Sequence, residues 1–223
     1  MNSLANGLIA QLSGPDQTLF RHHSRLVEMK AGDVLLPPFQ DHPNAYFITQ
    51  GSVALFVQAR SKTSLAGLAV GLVGREGAVG LQTVWGLGSG NMTALVQSPG
   101  FAWVMTPASL RRLVQKRAYW LPIWAQSLWH LYQDVADLAV LSHIPNMALR
   151  LADWLLRSEV RCQPEPLCMT HAHMARMLGV RRASVTLAAQ TLQQNGWIHY
   201  SRGRIDILNR PALSNYLQTT LKA

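Results

Sequence analysis

Thr170-His171-Ala172-His173-Met174-Ala175-Arg176-Met177-Leu178-Gly179-Val180-Arg181-Arg182-Ala183-Ser184-Val185 is the stretch from which the rest of the chain can be read. It predicts two short helices joined by a tight turn. Thr170 suits an N-cap, because its hydroxyl can accept an orphan N–H of the first turn. Met174, Ala175 and Leu178 fall at helical spacing on one face. Gly179 follows where the chain must leave the helix in a left-handed conformation that glycine adopts without steric cost. Val180 can plug the angle between the helices. A second helix from about Arg182 turns Val185, Ala188, Ala189 and Leu192 inward and stops at Asn195-Gly196. Beyond Trp197-Ile198, the run Tyr200-Ser201-Arg202-Gly203-Arg204-Ile205 has the form of a β-hairpin with Gly203 at its tip.

A helix-turn-helix places its second helix in the DNA major groove, and a flanking hairpin makes it winged. The charges agree. Between Glu165 and Asp206 there is no acidic residue, while Arg176, Arg181, Arg182, Arg202 and Arg204 lie inside. A small basic helical domain with a solvated arginine face is the plain alternative. It would not require Ala175, Gly179, Val180 and Val185 in these positions.

The 223-residue chain carries a net charge of +9, with 48% hydrophobic and 14% charged residues, so a packed core is expected and disorder is not. Residues 1–106 are net +1, residues 107–143 net +2 and residues 144–223 net +6. The excess sits with the helix-turn-helix, which favours nucleic acid over a membrane surface as the polyanionic partner. The early apolar run Leu8-Ile9-Ala10 is too short for a signal-peptide core. Leu65 to Gly74 is half the length needed to span a bilayer. Cys162 and Cys168 make no disulfide framework. A cytoplasmic protein with no membrane partner is expected.

In chain order, residues 1–24 read as a short helical lead. Short β-like runs follow at Leu26–Met29, Val34–Leu36, Ala45–Thr49, Val53–Val57, Leu65–Val73, Thr93–Gln97 and Phe101–Met105. Gln50-Gly51-Ser52 and Ser98-Pro99-Gly100 read as turns. Many short strands at regular spacing predict a jelly-roll or sandwich. Helices are expected at Ala108–Arg117, from Trp120–Pro122 to His143, and at Met147–Val160. In the long one, Leu121, Trp124, Leu128, Leu131, Val135, Leu138 and Ser142 are spaced 3-4-3-4-3-4, the pattern of a seam between two helices. The alternative is a helix buried on its own domain. The seam is preferred because Trp129 and Tyr132 offer a second apolar face for the β-domain. His143-Ile144-Pro145-Asn146 is a candidate hinge, since proline disfavours helix in the residue before it.

The expected architecture is therefore α+β. It comprises a jelly-roll over residues 1–118, a long dimerisation helix and hinge over 119–144, and a winged helix-turn-helix over 145–223. This order resembles the cyclic-AMP receptor protein/FNR (Crp/Fnr) family of bacterial transcription regulators. The resemblance is carried by Ala31-Gly32-Asp33-Val34-Leu35, by Ala45 through Val53, and by Thr170 through Ile205. It implies a β-roll like those that bind cyclic nucleotides, a homodimer, an inverted-repeat operator in double-stranded DNA, and RNA polymerase as a further partner. On the family's pattern Arg182 would read a guanine, as guanidinium can bond O6 and N7 together. Ser184 would lie near the phosphates and Thr170 at the phosphate-facing cap. His171, Arg181 and Arg202 complete the expected DNA-binding set. Ala183 and Leu187 depart from the family's glutamate and second arginine, so a different half-site is expected.

The effector pocket departs further. Nucleotide-binding members carry a Gly-Glu pair and, about ten residues on, an arginine beside a small residue. Here the matching positions are Gly80-Leu81 and Met92-Thr93, and no cation lies between Arg75 and Arg111. Burying an unpaired phosphate is costly, so cyclic AMP is disfavoured. An FNR-type iron–sulfur cluster needs four cysteine ligands, and the first domain has none. Zinc through Cys162, Cys168, His171 and His173 is disfavoured because two histidines two apart on a helix point to different faces. The cofactor is left unknown. A DNA-binding regulator responding to some effector is the first reading, and a constitutive DNA-binding protein with a ligand-free β-roll is the second. A cupin-like metalloenzyme is the third; it would need clustered ligands on neighbouring strands, where only His42 and scattered acids occur, so no enzyme is expected.

Overall fold

The computed structural model describes residues 5–57, 68–162 and 167–221. Two short helices lead, α1 (Gly7–Ala10) and α2 (Gly14–His22), capped by the side chains of Asn6 and Ser13. Asn6 is buried and also donates to the carbonyls of Ile48 and Gly77 at 2.7 Å, which ties the lead to the sheet behind it. Six antiparallel strands follow: β1 (Arg25–Met29), β2 (Val34–Leu36), β3 (Ala45–Val57), β4 (Leu68–Val73), β5 (Ala78–Val79) and β6 (Met92–Met105). Their order is β1-β6-β3-β4, with β2 also on β6 and β5 also on β3. The part of the predicted Leu65–Val73 strand before Leu68 lies outside the described residues.

The two expected turns at Gln50-Gly51-Ser52 and Ser98-Pro99-Gly100 are bulges inside β3 and β6, not breaks between strands. The pairing register slips three times between Ile48 and Val53, opposite Ala102 to Val96. A bulge bends its strand and adds twist, so each long strand serves two layers and the sheet rolls up. The glycines permit the crossing. Gly51 sits at φ +81°, and a Cβ on Gly51 or Gly100 would run into the facing carbonyls of Pro99 and Gln50. Gly100→Ala should therefore cost about 1–3 kcal/mol, the usual range for forcing atoms into packed space. A shifted denaturant midpoint with an unchanged slope is the expected measurement; a midpoint within error of wild type would refute the close crossing.

The run Val53-Ala54-Leu55-Phe56 is apolar throughout because both faces of β3 are covered. Val53 and Leu55 join the roll interior with Met29, Ile48, Val73, Val79, Ala94 and Val96. Ala54 and Phe56, with Ala69, Leu72 and Leu95, face outward into a core shared with the C-terminal helices. Strands buried on both sides lose the polar alternation that marks a solvated face.

Helices α3 (Pro107–Lys116) and α4 (Trp120–Ser142) close the roll. Trp120 and Trp124 are fully buried with Phe20, Phe47, Leu81 and Leu110. The heptad stripe touches its own chain along most of its length. Leu121, Trp124 and Leu128 pack in that first core, Leu131 packs in the roll interior, and Leu138 packs against the C-terminal core, while Val135 lines an intramolecular cavity beside it. Of the seven positions only Trp124 is fully buried; Ser142 is exposed and the others are half-buried. The face turned to solvent carries Ala125, Trp129, Tyr132, Ala136 and Val140. A heptad pattern records that one face is covered, but not by which chain.

After His143–Asn146 come α5 (Met147–Cys162), β7 (Leu167–Cys168), α6 (His171–Leu178), α7 (Arg182–Gln194), β8 (Ile198–Ser201), β9 (Arg204–Ile207) and α8 (Arg210–Leu221), with strand order β7-β9-β8. α5 is fastened to the roll by a buried polar cluster. Gln97 donates to Ser52 and Ser158 at 3.3 and 3.2 Å, and Cys162 Sγ lies 3.4 and 3.0 Å from the hydroxyls of Ser52 and Ser98. Ion pairs fasten it to α4: Arg157 meets Asp134 at 2.6 Å and Asp137 at 3.2 Å, and Arg161 meets Asp134 at 2.6 Å.

Candidate nucleic-acid interface

The interface is built on α6 and α7. Thr170 Oγ1 accepts from the His173 amide at 3.1 Å, and Gly179 ends α6 at φ 64°, ψ 35°. Met174, Met177, Leu178, Val185, Ala188, Ala189 and Leu192 bury the inner faces of both helices. Arg150 of α5 donates to the Leu178 carbonyl at 2.7 Å, satisfying one of the acceptors a helix end leaves over. The pair is thereby held rigidly, and its outer surface is what remains for a ligand.

That surface carries Arg181 and Arg182 at the start of α7, both exposed. The hairpin tip lies beside it. Arg202 and Gly203 both adopt positive φ, 48° and 82°, as a two-residue hairpin turn requires. A Cβ on Gly203 would lie 3.7 Å from Thr170 Cγ2, so the tip abuts the start of α6. Arg204 is held by Asp206 at 2.9 Å, which leaves Arg202 as the tip's cation without an ion-pair partner among the described residues. Ser184 is placed differently. It is half-buried and lines a shallow cleft with Asn146, Met147, Leu187 and Tyr216.

His171 belongs to a small network that the sequence pattern does not display. Its ring stacks on Tyr200 at 4.2 Å, and its Nδ1 lies 2.9 Å from Thr186 Oγ1. Thr186 donates its hydroxyl to the Arg182 carbonyl at 3.1 Å. The hydroxyl proton is thus committed, so Nδ1–H donates to Thr186 and the neutral ring keeps Nε2 as its acceptor. Burial, and then the nearby Arg182, hold the His171 pKa below the ordinary histidine value. Burial and Arg176 do the same for His173. His171 is therefore a neutral prop that fixes the first turn of α7 against β8, rather than a cation. Thr186 and Tyr200 could have been found only by noticing that α6, α7 and β8 meet at their starts.

The positions matched to an effector pocket do not converge in the same way. Gly80 opens a 3₁₀ turn (Leu81–Trp85) at φ +84°. Leu81 is buried in the α3–α4 core, whereas Met92 packs in the roll interior. Thr93 is buried, and its hydroxyl has no partner among the described residues. Arg111, just beyond the cation-free window, donates to the Thr83 carbonyl at 3.2 Å and so reaches this turn from α3. Cys162 is enclosed with Ser52 and Ser98 while Cys168 is exposed, and no group of three or more candidate metal ligands occurs among the described residues. No helix among the described residues is long and apolar enough to cross a membrane.

A rolled antiparallel sheet and a long helix precede a winged helix-turn-helix whose exposed second helix carries arginines, the arrangement of a DNA-binding module. Residues 149–216 match the Crp-like helix-turn-helix domain, and the chain's fold is similar to that of Crp/Fnr-family regulators. A crp/fnr-family transcriptional regulator from Eubacterium rectale superposes with a TM-score of 0.69 at 16% identity, covering 95% of this chain and 97% of that one. FixK2 from Bradyrhizobium japonicum gives 0.69 at 14% identity, covering 86% and 96%. The c-di-GMP-responsive regulator CLP from Xanthomonas campestris gives 0.66 at 15%, covering 87% and 98%. No curated protein matches the sequence.

Proposed function

We propose that this chain is a homodimeric regulator that reads an inverted-repeat operator through one α7 per subunit and responds to an effector other than cyclic AMP. The observation that carries the DNA reading is the exposed start of α7 with Arg181 and Arg182, the Arg202 tip set against the start of α6, and no acid between Glu165 and Asp206. Arg182 is assigned to a guanine, and Thr170, Arg181 and Arg202 to the phosphates. His171 supports them from beneath. Leu187, 65% exposed on α7, supplies what an arginine would not: an apolar contact for a thymine methyl. Domain divisions at 118/119 and 144/145 suit this division of labour, and RNA polymerase is a further proposed partner.

Selection of bound duplexes from a random-sequence library tests the reading. Two symmetric half-sites about 34–36 Å apart along the helix should be enriched. Enrichment of a single unpaired site, or of none, would refute the dimeric operator.

The effector reading rests on chemistry. Leu81 cannot accept from ribose hydroxyls, and Arg111, the cation that reaches the 3₁₀ turn among the described residues, comes from α3 and donates to the Thr83 carbonyl rather than standing at the positions matched to the family's arginine. Calorimetry with millimolar cyclic AMP should give no heat of binding. Micromolar affinity would overturn the assignment. CLP responds to a different cyclic nucleotide on the same fold, so the fold alone does not select the effector.

A further inference from the structure

A cavity of about 100 Å³ lies where the roll, the long helix and the DNA-binding domain meet. Its walls come from four elements: Ala69 and Val70 of β4, Val135 and Leu138 of α4, Trp154 of α5, and Leu178 of α6. The lining is overwhelmingly apolar, so water gains little there; the space is enough for several water molecules or one compact organic group. It is not the pocket matched to Gly80, Leu81, Met92 and Thr93, none of which lines it.

Ser142, Arg150, Asp153 and the Trp154 ring interrupt the aliphatic wall. Trp154 is 1% exposed, and its indole N–H has no partner among the described residues. Arg150 also lines the cavity, and its side-chain bond to the Leu178 carbonyl occupies a single N–H of five. No carboxylate among the described residues lies within ion-pair distance of it. The wall's other charge, Asp153, is committed to Arg157 at 2.8 Å. Burial lowers the Arg150 pKa below the ordinary arginine value.

We propose that this cavity is a binding site for a compact apolar carboxylate, with a body of ring size against Val70, Leu138 and Trp154 and its anionic group on Arg150. Charge-assisted guanidinium–carboxylate bonds are among the strong ones, and an apolar pocket with one convergent cation is the usual form of a small-molecule site. Occupancy would bridge β4, α4, α5 and α6, and so set where α6 and α7 stand relative to the roll. This consequence rests on the effector reading above.

The test uses the full-length protein with benzoate as probe and benzyl alcohol as its neutral counterpart. Calorimetry should give benzoate binding at least tenfold tighter than benzyl alcohol. Arg150→Met should erase that preference. Ala139→Phe, at the exposed rim of the cavity, should weaken both ligands at least tenfold without touching the core, which keeps the test valid if Arg150→Met folds poorly. Equal affinity for the two probes, no binding of either, or binding indifferent to Ala139→Phe would overturn the site. A parallel operator titration separates the two ideas. Benzoate that binds with these dependences and leaves DNA affinity unchanged upholds the site and removes the effector reading. No benzoate binding, in a protein whose operator affinity answers to another metabolite, does the reverse.

Discussion

Trp129→Glu with Tyr132→Glu should convert the protein to folded monomers. The two rings stack at 5.4 Å on the solvent face of α4, 58% and 63% exposed, with Ala125, Ala136 and Val140 along the same side. An aromatic pair left in water on a 23-residue helix, about 35 Å long at 1.5 Å per residue, is a face that a second copy would cover. Large aromatic rings dominate the energetics of such contacts, and a buried carboxylate with no partner is costly. Splitting the proposed dimer would separate its two recognition helices. The loss of their linkage should lower operator affinity by at least about 100-fold, the low end of what linked binding contributes. Leu128→Glu with Leu131→Glu provides the contrast. Those side chains pack on their own roll, so that pair should lower the melting temperature or prevent folding, not simply dissociate the protein. Sedimentation and thermal melts distinguish the outcomes. A Trp129/Tyr132 variant that stays dimeric would move the interface elsewhere.

Arg182→Ala is expected to relax base preference at one position of each half-site. A bidentate arginine–guanine contact contributes about 1–3 kcal/mol of discrimination, roughly 5- to 150-fold at that base pair. The dependence on salt should change little. Arg202→Ala should behave in the opposite sense. Its side chain sits on the hairpin tip with no carboxylate partner among the described residues. Losing a phosphate contact weakens all sequences alike and reduces the salt slope by about one unit. Titrating both variants against a site library at two salt concentrations separates the roles. If Arg182→Ala weakens every sequence equally, that arginine grips the backbone, and Leu187 or Arg181 becomes the next candidate reader.

What the sequence determined by itself was local. Thr170, Gly179 and the apolar positions between them specify α6, its cap and its exit because each acts on the backbone within one or two turns. Gly203 beside Arg202 likewise marks the hairpin tip, where the chain must reverse within two residues. The acid-free, arginine-bearing segment is legible for the same reason: charge needs no contact partner to be counted. The tertiary structure decided what depends on which surface covers which. Gln50-Gly51-Ser52 and Ser98-Pro99-Gly100 look like turns one at a time, and become bulges only because each faces the other across the sheet. The α4 heptad names a covered face, but the roll and the C-terminal domain are what cover it. Trp129 and Tyr132, assigned by pattern to the β-domain, are left to solvent. His171, Thr186 and Tyr200, and likewise Arg150 and Trp154, are scattered along the chain and acquire a common role only where three or four elements converge. Backbone propensity and charge are properties of single residues and their neighbours; burial and pairing belong to the packed chain, and no periodicity encodes them.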